Sequence, residues 1–433
     1  MRLLRQLALT ALTWAAVGCG NASGNDPSPD EAGGSSSDPP DSDSGSITTS
    51  GGLAGSALGG GGSGDPRGMG GNATAGTAGG AGGGGKSGAS GGGGSNAGGP
   101  APPATWVNAT GNLAGMASDC YNMGRVAIKP GSSRVIAGVA LHGLFASDDG
   151  GKSWQSLGTG AGSAKIINRV SSITFDRNDP DVFWETGTHT GAGFYKTTDG
   201  GLTFKQLGTM TFSQDAAIDF ADPERKTLLT GTHGKGIFRS TDAGQTFTDI
   251  SAGVPGNTLW PLLIDAQTYL IGTFDADASN TAVYRTTNGG ASWSEVTALS
   301  PSHDGTFRRA SDDSLYLPIS GNAGIMKSTD LGKTWTRLAS AGATFPPPFF
   351  SVTPLELPDG KLVVLGVDHL LRSGDGGATY KPIGEALPFK LTASDFGGVT
   401  YSVQAKTFFL WHADCGTAVL PDAIMSAGFD YAL

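Results

Sequence analysis

The side chains with the widest chemical reach in this sequence are its 6 histidines, and five of them fall in register. When the chain is cut at a recurring eight-residue motif, His142, His189, His233, His369 and His412 take one common place, just after the second strand of each expected repeat. Asp275 and Asn322 fill that place in the fourth and fifth repeats, and His303 stands in the loop entering the first strand of the fifth. Imidazoles converging from several repeats could hold a transition metal through their ring nitrogens, oriented by carboxylates behind them, which makes those five histidines a metal-ligand set. The same groups, with His303, could instead act as acid, base or hydrogen-bonding contacts to a sugar chain, with Trp260 stacking on a ring face. A third reading leaves them as polar loop residues with no special role. The catalytic candidates in these loops are Asp215, Asp275, Asp304, Asp368, Asp395 and Arg169; Asp119, Tyr121, Arg125 and Asp414 lie in the same two sets of loops.

The motif that sets this register is S/T-x-D-x-G-x-S/T-aromatic. Its copies run Ser147 to Trp154, Thr197 to Phe204, Ser240 to Phe247, Thr286 to Trp293 with Asn288 in place of the Asp, Ser328 to Trp335 and Ser373 to Tyr380. Their starts are 50, 43, 46, 42 and 45 residues apart, the spacing of a repeat architecture. Each copy has an apolar strand before it, such as Gly236 to Ser240, and a short strand after it, such as Trp335 to Leu338, so the motif is a hairpin turn. Asp at the third place can accept bonds from nearby amides, and Gly at the fifth tolerates positive φ. Two further strands precede each hairpin, for example Val170 to Phe175 and Val182 to Gly187, giving a four-stranded propeller blade.

The chain ends fix the number of blades. After the sixth motif come three strands, Val399 to Val403, Lys406 to Trp411 and Ala423 to Ala427, without a fourth. Thr105 to Ala109 repeats the post-motif pattern of Thr334 to Leu338 although no motif precedes it. The expected fold is therefore all-β, a single seven-bladed β-propeller of four-stranded blades, its ring closed by an N-terminal strand completing the last blade. Six blades are the alternative. The motifs would sit on the face opposite the usual ligand mouth, so Asp149, Asp199, Asp242, Asp330 and Asp375 read as structural, and the histidines face the mouth.

These motifs resemble the Asp-box (bacterial neuraminidase) repeats shared by sialidases, two-propeller xyloglucanases, sortilin-type receptors and photosystem II assembly factors. The resemblance covers residues 104–433 and implies the propeller; it implies no single activity, because that superfamily is functionally mixed. Sialidases carry an Arg-Ile-Pro segment, for which Gly124-Arg125-Val126-Ala127 is the nearest counterpart here, and xyloglucanases carry an essential Asp in the region where this chain has His142.

Residues 1–19 read as an export signal: Arg2 and Arg5 lead an apolar stretch from Leu7 to Val17. Ala16-Val17-Gly18-Cys19 resembles the lipobox of bacterial lipoproteins, which implies lipid on Cys19 and an envelope-anchored, surface-exposed or secreted protein; simple secretion is the alternative. Residues 20–103 contain 30 of the 72 glycines and almost no large apolar side chains, so they are expected to form a disordered linker. With Cys19 assigned to lipid, Cys120 and Cys415 remain as a disulfide pair.

Composition and motifs exclude several classes. The glycines keep no three-residue period, against collagen. Beyond residue 103 the chain has 24 Lys and Arg against 31 Asp and Glu, against nucleic-acid binding. No Walker loop, dinucleotide fingerprint, H-E-x-x-H or C-x-x-C pair occurs. Three functions stay open: recognition and processing of an extracellular glycan, non-catalytic protein binding or assembly, and metal-dependent oxidoreductase or lyase chemistry on the histidines. A monomer is expected, with the membrane met only through the N-terminal lipid.

Overall fold

The structure is a computed structural model and describes residues 105–191, 193–210, 212–232, 236–255, 257–274, 282–296, 306–319, 324–346, 352–391 and 396–429. The signal, Cys19, the linker, His233, Asp275, His303, Asp304, Asn322 and Asp395 lie outside the described residues. Gly98–Leu433 forms one compact unit.

Seven antiparallel blades make up that unit. Their inner strands are Met123–Ile128, Arg169–Phe175, Ser213–Ile218, Asn257–Leu263, Arg308–Arg309, Leu355–Glu356 and Phe396–Ser402. Blade 2 shows the plan: Arg169–Phe175, Phe183–Thr188, Gly193–Thr197 and Lys205–Gln206 hydrogen-bond in sequence order. The middle strands alternate between two buried faces, so Phe183 packs toward blade 1 and Trp184 toward blade 3. Seven apolar clusters result, one at each blade-to-blade contact. Fully buried Trp184, Phe183 and Phe194 each stabilise the ring by roughly 1.5–3 kcal/mol through transfer from water.

Ring closure follows the expected route. Val107 pairs with Ser426 and Asn108 with Met425, placing Val107–Asn108 outside Ile424–Gly428 as the fourth strand of blade 7. The Thr110 hydroxyl extends the clasp, donating to the Ile424 carbonyl (3.2 Å) and accepting from the Ile424 amide (2.9 Å).

The six motif turns share one bond pattern. In the first, Ser147 Oγ donates to Asp149 Oδ1 (2.8 Å) and accepts from Gly151 N (2.8 Å), while Asp149 accepts from Ser153 N (3.0 Å) and Ser153 Oγ (2.6 Å). In the fourth turn Asn288 reverses one bond, its Nδ2 donating to Ser292 Oγ (2.8 Å). The fourth and fifth motif places are both left-handed, yet only the fifth is always Gly. Ala243 and Leu331 stand at the fourth place with φ of 60° and 57°, where a side chain is tolerated. A Cβ at the fifth would strike the preceding blade: 2.3 Å from the Ala109 carbonyl at Gly151, 2.6 Å from Ile250 at Gly290. The glycine therefore serves close inter-blade packing as well as φ. Cations before the motifs tie the same face together: Arg239 Nη1 donates to the Gly289 carbonyl and Arg285 Nε to the Leu331 carbonyl, each in the next blade's turn.

Candidate functional site

The opposite rim is built from the loops joining second to third strands and those entering each inner strand, and blades 1 to 3 are distorted there. Bulges interrupt the inner strands between Met123 and Arg125, Val170 and Ser172, Ser213 and Asp215, and, in blade 4, Thr258 and Trp260. The inner strand of blade 7 pairs without a register shift. Each bulge turns the following side chain, so Arg125, Ser172, Asp215 and Trp260 occupy equivalent places. Four non-glycine residues around this part of the rim are left-handed: Tyr121 (φ 63°), Leu141 (70°), His189 (64°) and Phe212 (61°). Such backbone costs about 1–3 kcal/mol per residue, held in place by surrounding contacts.

Those contacts converge on Arg169. Its Nη2 donates to Asp119 Oδ2 (2.9 Å), its Nη1 to His189 Nε2 (3.2 Å), and its guanidinium lies 5.4 Å from the centroid of the Tyr121 ring. Because arginine only donates, His189 Nε2 accepts, which puts the ring proton on Nδ1, 3.0 Å from Thr188 Oγ1. The buried Arg169 Nε has no hydrogen-bond partner among the described residues. Tyr121 packs on Phe396, and Phe212 lies edge-on to His189. Burial raises the Asp119 pKa, but the Arg169 bond, the Cys120 amide and the positive charge of Arg169 outweigh it and hold the carboxylate below its ordinary range. The Cys120–Cys415 disulfide, spanning 295 residues, pins the same loop to blade 7, and Asn122 Nδ2 donates to Asp414 Oδ1 (2.8 Å) beside it.

A second carboxyl stands below. Asp215 keeps some contact with channel water, yet the inner strands enclose its carboxyl; that desolvation raises its pKa against the opposing pull of Arg125, the Ala216 amide and the Ser172 hydroxyl. A carboxyl enclosed in this way is poorly solvated when charged. Ser172 Oγ is also bonded to Thr186 Oγ1 (2.8 Å). Glu185, with no exposed surface between blades 1 and 2, is pushed well up by desolvation and meets Asn168 Nδ2 at 3.4 Å. Asp119 and Asp215 thus have opposite electrostatic settings on one stretch of rim.

The remaining sequence candidates are dispersed. His142 Nε2 donates to the Ala117 carbonyl (2.6 Å), and His369 Nδ1 faces Asp368 Oδ1 (3.1 Å). His412 lies inside the strand Thr407–Ala413 rather than after it, because pairing continues to Ala413↔Phe396; it is buried, stacked on Phe389 at 3.8 Å and bonded to the Asp422 carbonyl. Each of the four described imidazoles has its own local partner, and among the described residues no group of three or more His, Cys, Asp or Glu could hold a metal ion. Trp260 is 2% exposed, turned inward opposite Gly272, and its face is closed to a sugar. Phe212, with left-handed backbone, and Phe396, at the start of its strand, carry no motif that would single them out.

Comparison with known proteins gives a family resemblance without membership. No family model matches the chain. It is 27% identical over 282 residues to xyloglucanase Xgh74A of Acetivibrio thermocellus, covering 50% of this chain and 32% of that protein. The chain is similar to xyloglucanases. A second xyloglucanase, from Paenibacillus sp., is 25% identical over 345 residues, covering 66% of this chain and 33% of its own length, so the chain spans about a third of these relatives. The extracellular domain of a putative hybrid two-component system from B. thetaiotaomicron superposes with a TM-score of 0.52 at 12% identity, covering 75% of this chain and 42% of that one, a likeness of fold alone.

Proposed function

We propose that the protein recognises an extracellular glycan at the rim of blades 1 to 3 and processes it in the manner of a glycoside hydrolase. The observation that carries this reading is the Arg169 cluster: an oriented guanidinium, an ionised carboxylate, an imidazole of defined tautomer and a tyrosine face, the last two on left-handed backbone. Such groups suit the hydroxyls and apolar faces of a sugar ring. Similarity to xyloglucanases makes a β-glucan backbone the first substrate to try. Hydrolysis requires an acid and a charged partner with separated pKa values. Asp215 is the acid and Asp119 its ionised counterpart; their anchors, Ser172 and Arg169, are roughly 10 Å apart along one strand.

The test is incubation of the full chain with xyloglucan and other polysaccharides, reading reducing ends and binding together. Activity lost in Asp215→Asn with binding retained supports cleavage; binding without cleavage keeps recognition alone; no glycan bound overturns the reading. The protein also acts outside the cytoplasm as a monomer, tethered through lipid on Cys19, a placement supported by the Cys120–Cys415 disulfide. Intact mass of the mature N-terminus in wild type and Cys19→Ser checks the tether.

A further inference from the structure

One turn of the Asp-box face departs from the other five, and a cavity lies against it. Where the third motif place is Asp, the hydroxyl at the seventh place donates to that carboxylate, as Ser153 Oγ and Thr203 Oγ1 do (2.6 Å each). In the fourth turn Asn288 Oδ1 accepts the Ser292 amide (3.0 Å), which fixes the orientation of the side-chain amide. Its Nδ2 then donates to Ser292 Oγ (2.8 Å), so that hydroxyl keeps its own proton for another acceptor and has none among the described residues. Asn288 also takes away the negative charge that the other five turns carry.

The cavity, of about 280 Å³, has Arg285, Thr287, Ser292, Ser294, Glu295 and Lys333 on its lining, room for one small ion or ester head. Strand register decides which of these can act together. Arg285 pairs with Ser294 and Tyr284 with Glu295, and alternate residues face opposite sides. Tyr284 packs toward blade 3, whereas Val283 and Val296 pack toward blade 5. Arg285 and Ser294 therefore share the face toward blade 5, and Glu295 stands on the other. The Arg285 Nε donates to the Leu331 carbonyl (3.3 Å), which carries the guanidinium across the seam to the turn that holds Lys333.

At the same place in other blades the cation is spent. Arg239 donates through Nη1 to the Gly289 carbonyl, Arg372 through Nη2 to Asp359 (2.7 Å), and Lys196 and Lys327 lie over the rings of Trp184 and Tyr316. Arg285 keeps both terminal nitrogens without a hydrogen bond or ion pair among the described residues, and so does Lys333 with its ammonium. Asp265, whose carboxylate feels the Arg285 charge, accepts the Gln267 and Thr268 amides (2.9 and 2.8 Å) and forms no ion pair with it. A guanidinium fork, an ammonium and a hydroxyl proton on one cavity suit a tetrahedral oxyanion.

We propose that the cavity at the fourth Asp-box turn, between blades 4 and 5, binds a sulfate- or phosphate-class oxyanion, held by Arg285, Lys333 and the Ser292 hydroxyl, free or carried on a sugar. The site lies on the Asp-box face and does not rest on the glycan reading of the rim. Its test is calorimetric titration of the full chain with inorganic sulfate, inorganic phosphate and glucose 6-phosphate at fixed ionic strength. Wild type binds one oxyanion per chain. Arg285→Gln weakens it about tenfold or more, and Lys333→Gln weakens it less. Asn288→Asp abolishes binding, because the new carboxylate takes the Ser292 proton and repels the ion, while the fold keeps the turn of the other five blades. Gln245→Glu, which adds the same charge at the third turn, leaves binding as in wild type. The ester bound as tightly as the free ion marks a sugar-borne group; the free ions bound alone mark a small-ion site. Thermal midpoints in chloride establish that each variant is folded, and Asn288→Asp decides should Arg285→Gln not fold. No binding by wild type, binding that persists in folded Arg285→Gln or Asn288→Asp, or equal weakening by Gln245→Glu overturns the proposal.

Discussion

The Asp-box face and the opposite rim are made from the same seven blades, yet they are organised on opposite rules. On the Asp-box face, Ser147, Thr197, Ser240, Thr286, Ser328 and Ser373 each accept the amide of the glycine four residues on, and each reaches the third motif residue. Toward the rim, His142, His189, His369 and His412 share one place in the motif register, yet they meet a carbonyl, an arginine, an aspartate and a phenylalanine. Repetition marks what every blade needs in order to pack against the next. Divergence, together with left-handed backbone at Tyr121, Leu141, His189 and Phe212, marks surface that blade packing does not require in that form.

Perturbing the two faces should separate stability from binding. The largest stability effect is expected on the Asp-box side at Arg225→Ala, which strands Asp176: the pair is bidentate (2.7 and 3.0 Å) with both side chains 8% exposed. Loss of one partner should cost about 3 kcal/mol in urea unfolding, with rim binding unchanged. Ser328→Ala, which removes the hydroxyl bonded to Asp330 Oδ1 and Gly332 N, should cost about 1–2 kcal/mol.

Acid sharpens the same comparison. Hydrogen bonds from Thr246, Thr334 and Thr379, first from the side chain and then from the backbone, lower the pKa of Asp242, Asp330 and Asp375 to about 2. The unfolded value is near 4, so this contribution to stability is full above about pH 4 and is lost as pH falls toward 2. Thermal midpoints should drop through that window. The smallest effect is expected for Asn288→Asp, which restores the carboxylate of the fourth turn: a gain of a few tenths of a kcal/mol at pH 7 that disappears below pH 3.

The sequence made the repetitive face readable and the divergent one only partly so. Asp and Gly at fixed offsets reveal a turn because local bonding dictates them, and the unpaired Thr105 to Ala109 segment revealed the closure that Val107–Asn108 completes. Arg169, Asp119 and Tyr121 were identifiable as rim residues, whereas their convergence depends on a bulge at Val170 and on the loop pinned by Cys120. Trp260 looked like a stacking platform because an exposed and a buried tryptophan have the same letter; a register shift opposite a glycine decided which it is. His412 lies inside its strand rather than after it for a similar reason, since nothing local stops that strand before Ala413. Glu185 carries no motif at all, being notable only for what surrounds it.

The most direct test of this division of labour is calorimetric titration of xyloglucan oligosaccharides into three full-length proteins: wild type, Arg169→Ala and Ser328→Ala. Binding weakened at least tenfold in Arg169→Ala, at nearly unchanged stability, with Ser328→Ala destabilised yet binding as wild type does, is the result predicted. Equal binding by wild type and Arg169→Ala, or affinity lost in folded Ser328→Ala instead, would contradict it.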